Sequence, residues 1–195
     1  MKPHCRATSA NGYATPTTAE DVHKSDNSAR GDGRLVVRNS TPSDGPAVLA
    51  LNNASTPNVN ALSGEQFVSI AALCGYFRVA VLDGELAGFV MAIGHGASYW
   101  SANYAWFGER YGEFLYVDRA IVAPHVRRSG IGRALYRDLR EFARNQWPRI
   151  TLEVNVQPPN PGSIVFHEAM GFRRVGSRIY DENEVALFEL PVSAS

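Results

Sequence analysis

Between residues 35 and 94 the spacing of apolar residues predicts a strand, two helices and a β-hairpin. The strand is the β-branched run 35–38, the first helix opens near Asp44, the second covers 64–75, and the hairpin strands are 76–82 and 85–94. Gly75 is expected to end the second helix, because glycine commonly follows a helix end. Asp83-Gly84 favours a two-residue turn, so the hairpin strands are expected to be antiparallel.

The middle of the chain predicts a strand, a helix and another strand in succession. The strand 113–123 is apolar on both faces, which indicates a central position in the sheet. Apolar residues recur at helical spacing over 131–146, and a buried strand follows at 150–156. The two strands of such a crossover are expected to be parallel. The aromatic stretch 97–113, before this unit, is expected to be an irregular connection.

The C-terminal part predicts one more helix and two more strands. Asn160 is expected to cap the helix, with Pro161 at its first position and Gly171 after its end. The strands cover 173–180 and 184–192. The whole pattern predicts an α/β (α+β) domain with a mixed central sheet of about six to seven strands, mostly antiparallel with one parallel pair, flanked by about four helices.

Composition separates this domain from the N-terminal segment. Residues 1–33 contain only Met1, Tyr13 and Val22 as sizeable apolar side chains, which cannot offset the entropy of ordering the segment. We therefore expect a disordered tail at 1–33 and one domain at 34–195. The acidic residues of the tail argue against a transit peptide.

Charge and cysteine content exclude several classes of protein. The 19 basic and 19 acidic residues give no net charge, so nothing attracts the chain to nucleic acid or to a membrane surface. Cys5 and Cys74 are not in a zinc-binding spacing, and a reduced protein without a metal site is expected. No stretch is long and apolar enough to span a bilayer, and no secretory h-region is present, so a cytoplasmic location is expected.

The segment VAPHVRRSGIG, residues 122–132, joins the central strand to the following helix. A glycine turn at a helix N-terminus presents backbone N–H groups and the positive end of the helix dipole, and glycine lets a ligand approach closely. Arg127 and Arg128 can add charge-assisted hydrogen bonds, so the segment predicts a phosphate-binding site. No Walker A motif is present, and Leu135 stands where a dinucleotide fingerprint needs Gly or Ala.

Two motifs resemble those of the GCN5-related N-acetyltransferase (GNAT) superfamily. Val122-x-Pro124-x-x-Arg127-Arg128-x-Gly130-Ile131-Gly132 matches its V-x-P-x-x-R/Q-x-x-G-x-G signature at every position. Asn160-x-x-Ser163-x-x-Phe166-His167-x-x-x-Gly171-Phe172 resembles its late helix. The order of predicted elements is also similar to that fold. The resemblance implies acetyl-CoA as cosubstrate and a V-shaped splay between the two parallel strands, into which the thioester reaches.

The resemblance also implies where the cofactor would bind. Its pyrophosphate would lie on the turn amides of residues 127–133, its pantetheine arm along Ile121–Ala123, and its far part near Asn160 and Ser163. The expected cofactor-binding residues are Ile121, Val122, Ala123, Arg127, Arg128, Ser129, Gly130, Ile131, Gly132, Arg133, Asn160 and Ser163. The backbone N–H of Ile121 or Val122 would stabilise the oxyanion.

Catalysis further needs a base for the acceptor amine and a proton donor for the departing thiolate. The family commonly uses a tyrosine of the late helix as donor, and His167 stands at that position here. Asp118 and Glu153 are the leading candidates for the base, and Asn155 alternates with Glu153 along one strand. Asp118 can equally pair with an arginine such as Arg119, and a desolvated pocket can make a dedicated base unnecessary.

Aromatic residues are expected to meet the acceptor. Tyr99, Trp100 and Trp106, with Tyr116 of the central strand, predict a pocket for a small amine, although this surface can also serve packing or a homodimer. The predicted function is an N-acetyltransferase that acts on the primary amine of a small molecule. The alternatives are a protein N-terminal or lysine acetyltransferase and a CoA-binding regulatory module without turnover.

Overall fold

The computed structural model describes residues 34–180 and 183–192, so the predicted tail at 1–33 lies outside the described residues. The strands are β1 (Leu35–Asn39), β2 (Cys74–Leu82), β3 (Glu85–Gly94), β4 (Leu115–Val122), β5 (Arg149–Gln157), β6 (Arg173–Tyr180) and β7 (Asn183–Pro191). The helices are α1 (Gly45–Asn53), α2 (Gly64–Leu73), α3 (Ala102–Arg110), α4 (Ile131–Ala143) and α5 (Pro161–Ala169). None of these helices is both long and apolar enough to cross a membrane.

All seven described strands form one mixed sheet in the order β1-β2-β3-β4-β5-β7-β6. Every neighbouring pair is antiparallel except β4 and β5. These two strands pair in parallel only at Leu115–Ile150 and Tyr116–Thr151, and beyond those positions they separate. The predicted mixed sheet with one splayed parallel pair is therefore confirmed.

Helices cover both faces of the sheet, and each face has its own apolar core. On one face α1, α2 and α3 bury Val48, Ile70 and Phe107 against the strands. On the other face α4 buries Leu135 and Leu139, and α5 packs beside it. Burying such a side chain contributes about 1.5–3 kcal/mol, so these two layers fix the sheet on which the site is built.

Three predictions about local structure are wrong. The connection 97–113 contains α3, whose first turn is capped because the Ser101 side chain accepts a hydrogen bond from the Tyr104 amide at 3.3 Å. The described residues therefore form five helices rather than about four. Gly75 does not end α2, because the chain passes directly into β2 at Cys74. Helix α4 ends at Ala143 rather than at residue 146.

A β-bulge interrupts β4 at Asp118. Met91 of β3 pairs with Arg119 and Ala92 pairs with Val117, so Asp118 is an extra residue without a partner across the strands. The bulge reverses the alternation of side chains, because Tyr116 and Ile121, five positions apart, both pack into the core under α1, α2 and α3. It therefore decides which residues of β4 face the separation from β5.

Candidate active site

The separation of β4 and β5 opens a cavity of about 1000 Å³. Residues 127–133, called the glycine turn below, line one part of it with every member except Ser129. A second part is lined by the side chains that we call the carboxyl cluster, namely Tyr99, Tyr116, Asp118, Arg119 and Glu153. One cavity thus joins a cationic turn to a group of buried acids.

The glycine turn has the backbone geometry of an anion site. Arg128 and Gly130 have φ values of 65° and 88°, in the left-handed region, and Gly130 begins α4 without a side-chain cap. The amides of residues 128–133 donate to no group in the described part of the chain. Unpaired amides at a helix start bind phosphate oxygens. The residues present therefore fit a diphosphate such as that of acetyl-CoA.

The hydrogen bonds of β4 distinguish between the two expected oxyanion donors. Ala123 donates its amide to Ala87 O at 2.9 Å, and since antiparallel bonds alternate, the Val122 amide points away from β3 and toward β5. Val122 O points the same way, because it accepts a hydrogen bond from Arg127 Nε at 3.2 Å. Strands β4 and β5 pair only at Leu115 and Tyr116 of β4, so the Val122 amide has no strand partner.

Glu153 and Tyr116 are hydrogen-bonded to each other within the carboxyl cluster. The Tyr116 hydroxyl lies 2.8 Å from each carboxyl oxygen of Glu153 and donates its proton to this group. Burial raises the pKa of Glu153 to about 7, although the hydrogen bond from Tyr116 lowers it. Near neutral pH this carboxyl can therefore both hold and release a proton.

Asp118 and Arg119 form a buried ion pair beside it. Arg119 Nε lies 3.0 Å from Asp118 Oδ2, and Tyr99 donates its hydroxyl proton to Asp118 Oδ1. Arg119 Nη1 also donates to Asn52 Oδ1 at 2.9 Å and to Asn60 O at 3.0 Å. Burial raises the pKa of Asp118, while Arg119 and Tyr99 oppose the rise. The bulge thus brings Asp118 to the arginine that the sequence offered as its partner.

His167 is buried on α5 and forms hydrogen bonds with Ser163 and Tyr136. Its Nδ1 lies 2.7 Å from Ser163 O, and since a carbonyl only accepts, Nδ1 carries the proton. Nε2 then accepts the hydroxyl proton of Tyr136 at 2.6 Å. Burial lowers the pKa of His167 to about 4, so the imidazole is neutral at pH 7. Its single proton is held by Ser163 O.

The cavity brings together most of the predicted site residues. The members that line it are Tyr99, Trp100, Tyr116, Asp118, Ile121, Val122, Arg127, Arg128, Gly130, Ile131, Gly132, Arg133, Glu153, Asn155, Asn160, Ser163 and His167. Asn160 also caps α5, because its side chain accepts a hydrogen bond from the Ser163 amide at 3.3 Å. The side chain of Asn155 donates a hydrogen bond from Nδ2 to Pro57 O at 3.4 Å.

Three predicted residues lie outside this lining. The Ala123 amide is used by Ala87 O, and the Ser129 hydroxyl donates to Val126 O at 2.5 Å. The Trp106 ring packs against Gly176 of β6, so closely that a Cβ atom added to this glycine would lie 3.0 Å from the ring. Helix α3 turns the neighbouring Phe107 into the core, so Trp106 faces away from the cavity.

Sequence reasoning missed three polar groups of the site. Tyr136 meets His167 across 31 positions, and Arg119 meets Asn52 across 67. Asn103 of α3 helps to lower the pKa of Glu153. The sequence could have indicated Tyr136, because it is a hydroxyl-bearing residue on the buried side of α4. Nothing in the sequence indicates Asn52 or Asn103, because their contacts depend on how α1 and α3 pack.

Comparisons with known proteins agree with this geometry. Residues 51–172 match the model of the Acetyltransferase (GNAT) family. The ribosomal-protein-S18-alanine N-acetyltransferase from Escherichia coli has a similar structure, with a TM-score of 0.65 at 18% identity over 83% of this chain and 96% of that chain. A comparison with curated proteins found no match.

Two further solved structures are similar. Arabidopsis thaliana NAA60 in complex with a bisubstrate analogue gives a TM-score of 0.65 at 20% identity, over 83% of this chain and 100% of that chain. The yncA protein from Salmonella typhimurium, solved with its cofactor acetyl-CoA, gives a TM-score of 0.63 at 19% identity, over 83% of this chain and 95% of that chain. At these identities the likeness shows the fold alone.

Proposed function

Because the chain belongs to the acetyltransferase (GNAT) family, we propose that it is an N-acetyltransferase that transfers the acetyl group of acetyl-CoA to the primary amine of a small molecule. The observation that carries this proposal is one cavity that contains both the unpaired amides of the glycine turn and the carboxyl of Glu153, whose pKa is about 7. The domain is proposed to begin at residue 34.

The cofactor is proposed to bind along the glycine turn. The amides of residues 128–133 and the arginines of the glycine turn would hold its diphosphate, Ile121 and Val122 its arm, and Asn160 and Ser163 its far part. Acetyl-CoA supplies an activated acyl group and a thiol leaving group. The unpaired Val122 amide is the proposed donor to the oxyanion, since Ile121 lies in register with Phe89 and uses its amide toward β3.

Glu153 is proposed as the base. An alkyl amine has a pKa near 10 and arrives as the ammonium ion, which the carboxyl cluster attracts. Glu153 is about half ionised at neutral pH and can take the ammonium proton directly or through a water, while Tyr116 holds the carboxyl in place. Asp118 is a weaker candidate, because its carboxyl already contacts Arg119 and Tyr99.

The role of His167 as proton donor to the departing thiolate remains a prediction. The neutral imidazole can perform it only by giving its Nδ1 proton, which now bonds Ser163 O, to the sulfur. Burial raises the pKa of the Tyr136 hydroxyl, so this residue keeps its proton and orients the ring through Nε2. His167→Ala with normal acetyl-CoA binding and reduced turnover would support a role for the imidazole. Tyr136→Phe removes the bond that orients the ring and should lower turnover less than His167→Ala does.

The test is thiol release from acetyl-CoA with primary amines and with peptides that offer an N-terminus or a lysine, combined with product masses and calorimetry. An acetylated small amine supports the proposal. Acetylation of peptides alone would favour the protein-directed alternative, and acetyl-CoA binding without thiol release would favour the regulatory one. Absence of acetyl-CoA binding would overturn the proposal and both alternatives that use this cofactor.

A further inference from the structure

Aromatic rings form a continuous wall from the surface to the carboxyl cluster. Trp100 is 64% exposed, and its ring centroid lies 4.7 Å from that of Tyr99. The Tyr99 ring is 6.3 Å from that of Tyr116, whose hydroxyl bonds Glu153. Tyr180, 42% exposed at the end of β6, lines the same cavity. Exposed aromatic rings beside a cavity are available to an apolar ligand group.

The charges at this end of the cavity favour an ammonium ion and disfavour a carboxylate. Asp118 Oδ2 is buried and has no hydrogen bond of good geometry, only its contact with Arg119. Among the described residues that line the cavity, Arg119 is the arginine outside the glycine turn, and it already contacts Asp118, Asn52 and Asn60. A substrate carboxylate would therefore lie close to two protein carboxyl groups, which repel it.

The segment 54–63, between α1 and α2, closes one side of this end. Its carbonyls at Pro57 and Asn58 accept hydrogen bonds from the Asn155 amide of β5 at 3.4 and 3.5 Å. Arg119 and Asn52 hold its other part through Asn60 O. These hydrogen bonds hold the backbone of the segment against residues of β4 and β5 that line the cavity.

We infer that the acceptor is an arylalkylamine, a small primary amine attached to a flat apolar group, with no carboxylate next to the amine. The ammonium lies among Glu153, Asp118 and Tyr116, and the apolar group contacts Trp100 and Tyr180. This inference rests on the proposed function and specifies its substrate class.

Two matched pairs of acceptors test it in the wild-type protein. 2-Phenylethylamine and phenylalanine differ by one carboxylate, and 2-phenylethylamine and ethanolamine differ by the ring. We expect kcat/KM for 2-phenylethylamine to exceed that for ethanolamine about tenfold, because one aromatic contact contributes roughly this factor. It should also exceed that for phenylalanine about tenfold or more, because the carboxyl cluster repels the carboxylate of phenylalanine. A lysine peptide is included in the panel.

Trp100→Ala supplies the residue-level test. We expect KM for 2-phenylethylamine to rise about tenfold while kcat and acetyl-CoA affinity stay unchanged, since the ring contacts only the apolar group. Val68→Ala is the matched control, because Val68 is also 64% exposed but lies on α2 outside the cavity lining. It is expected to leave every constant unchanged.

The outcomes separate this inference from the proposed function. If phenylalanine or ethanolamine is acetylated best, or if Trp100→Ala leaves KM unchanged, the inference is wrong and the proposed small-molecule acetyltransferase stands. If the peptide alone is acetylated, both the inference and the proposed small-molecule acceptor are wrong. If acetyl-CoA binds but no acceptor in the panel releases thiol, both are overturned.

Discussion

Glu153→Gln is expected to lower turnover strongly and, at the same time, to remove a pH-dependent loss of stability. In the folded protein burial raises the pKa of Glu153 from 4.5 to about 7. The unfolded chain therefore releases this proton at lower pH than the folded chain. Between pH 4.5 and about 7 the unfolded state is favoured progressively as the pH rises, and above pH 7 the loss is complete.

The size of this effect follows from the two pKa values. The difference between 4.5 and about 7 corresponds to about 3 kcal/mol at 1.36 kcal/mol per pH unit. Glutamine cannot ionise, so the free energy of unfolding at pH 8 minus that at pH 4 should be more positive in Glu153→Gln than in the wild type by about that amount. Its amide keeps an acceptor for Tyr116 but adds two donors, which costs about 1 kcal/mol at every pH.

Two assays measure the prediction. The wild-type kcat/KM should rise with pH through a midpoint near 7, and this rise is called the acidic limb of the pH profile. Glu153→Gln should show no acidic limb, and its kcat should be lower by a factor of about 10² or more. Urea unfolding at pH 4 and pH 8 gives the stability difference. Tyr116→Phe removes a bond that lowers the pKa of Glu153, so it should move the limb to higher pH.

Glu141→Gln is the matched control, because this carboxyl is 69% exposed on α4 and lies outside the cavity lining. It should change neither the pH profile nor the stability difference. If Glu153→Gln keeps both the limb and the turnover, Glu153 is not the base. If the unfolding free energy of the variant falls as steeply with pH as that of the wild type, the buried carboxyl does not ionise near pH 7.

Four further results are expected. Gly130→Val, at φ 88°, should cost about 1–2 kcal/mol in urea unfolding and weaken acetyl-CoA binding by calorimetry, and unchanged affinity would contradict a ligand on this turn. Because the pKa of His167 falls from 6.5 to about 4 on folding, this residue contributes about 3 kcal/mol of stability that is lost as the pH falls through this range, opposite in sign to the contribution of Glu153; between pH 6.5 and pH 4, His167→Phe should therefore lose about 3 kcal/mol less than the wild type. Leu139→Ala, at a fully buried position, should cost about 2–5 kcal/mol in urea unfolding. Arg119→Met should raise KM for the amine, because it removes the contacts that hold Asn60 O and the Asp118 carboxyl at the amine end of the cavity. Acetyl-CoA affinity should not change, because Arg119 makes no hydrogen bond to the described residues of the glycine turn.

Local features of this fold could be predicted from neighbouring residues. The Asp83-Gly84 turn adopts φ values of 52° and 86°, as the hairpin motif requires, and Asn160 caps α5. The glycine turn was found for the same reason, since a left-handed position and a helix start are written into a few consecutive residues. Helix α3 was missed because its aromatic residues gave no clear period, although Ser101 offered a cap.

The arrangement of the site depends on contacts between distant positions. Tyr116 and Glu153 are 37 residues apart, and their hydrogen bond exists only because β4 and β5 start as a parallel pair. The bulge that places Asp118 beside Arg119 is a property of the register between β3 and β4. No periodicity within one strand reveals such a register.

The sequence by itself determined the order of strands and helices along most of the described chain and the phosphate-binding turn, because periodicity and backbone preference act over a few residues. Only the tertiary structure decided which acids face the cavity and what their pKa values are. Those properties come from burial and from partners on other elements, as Glu153 against Tyr116 and His167 against Tyr136 illustrate.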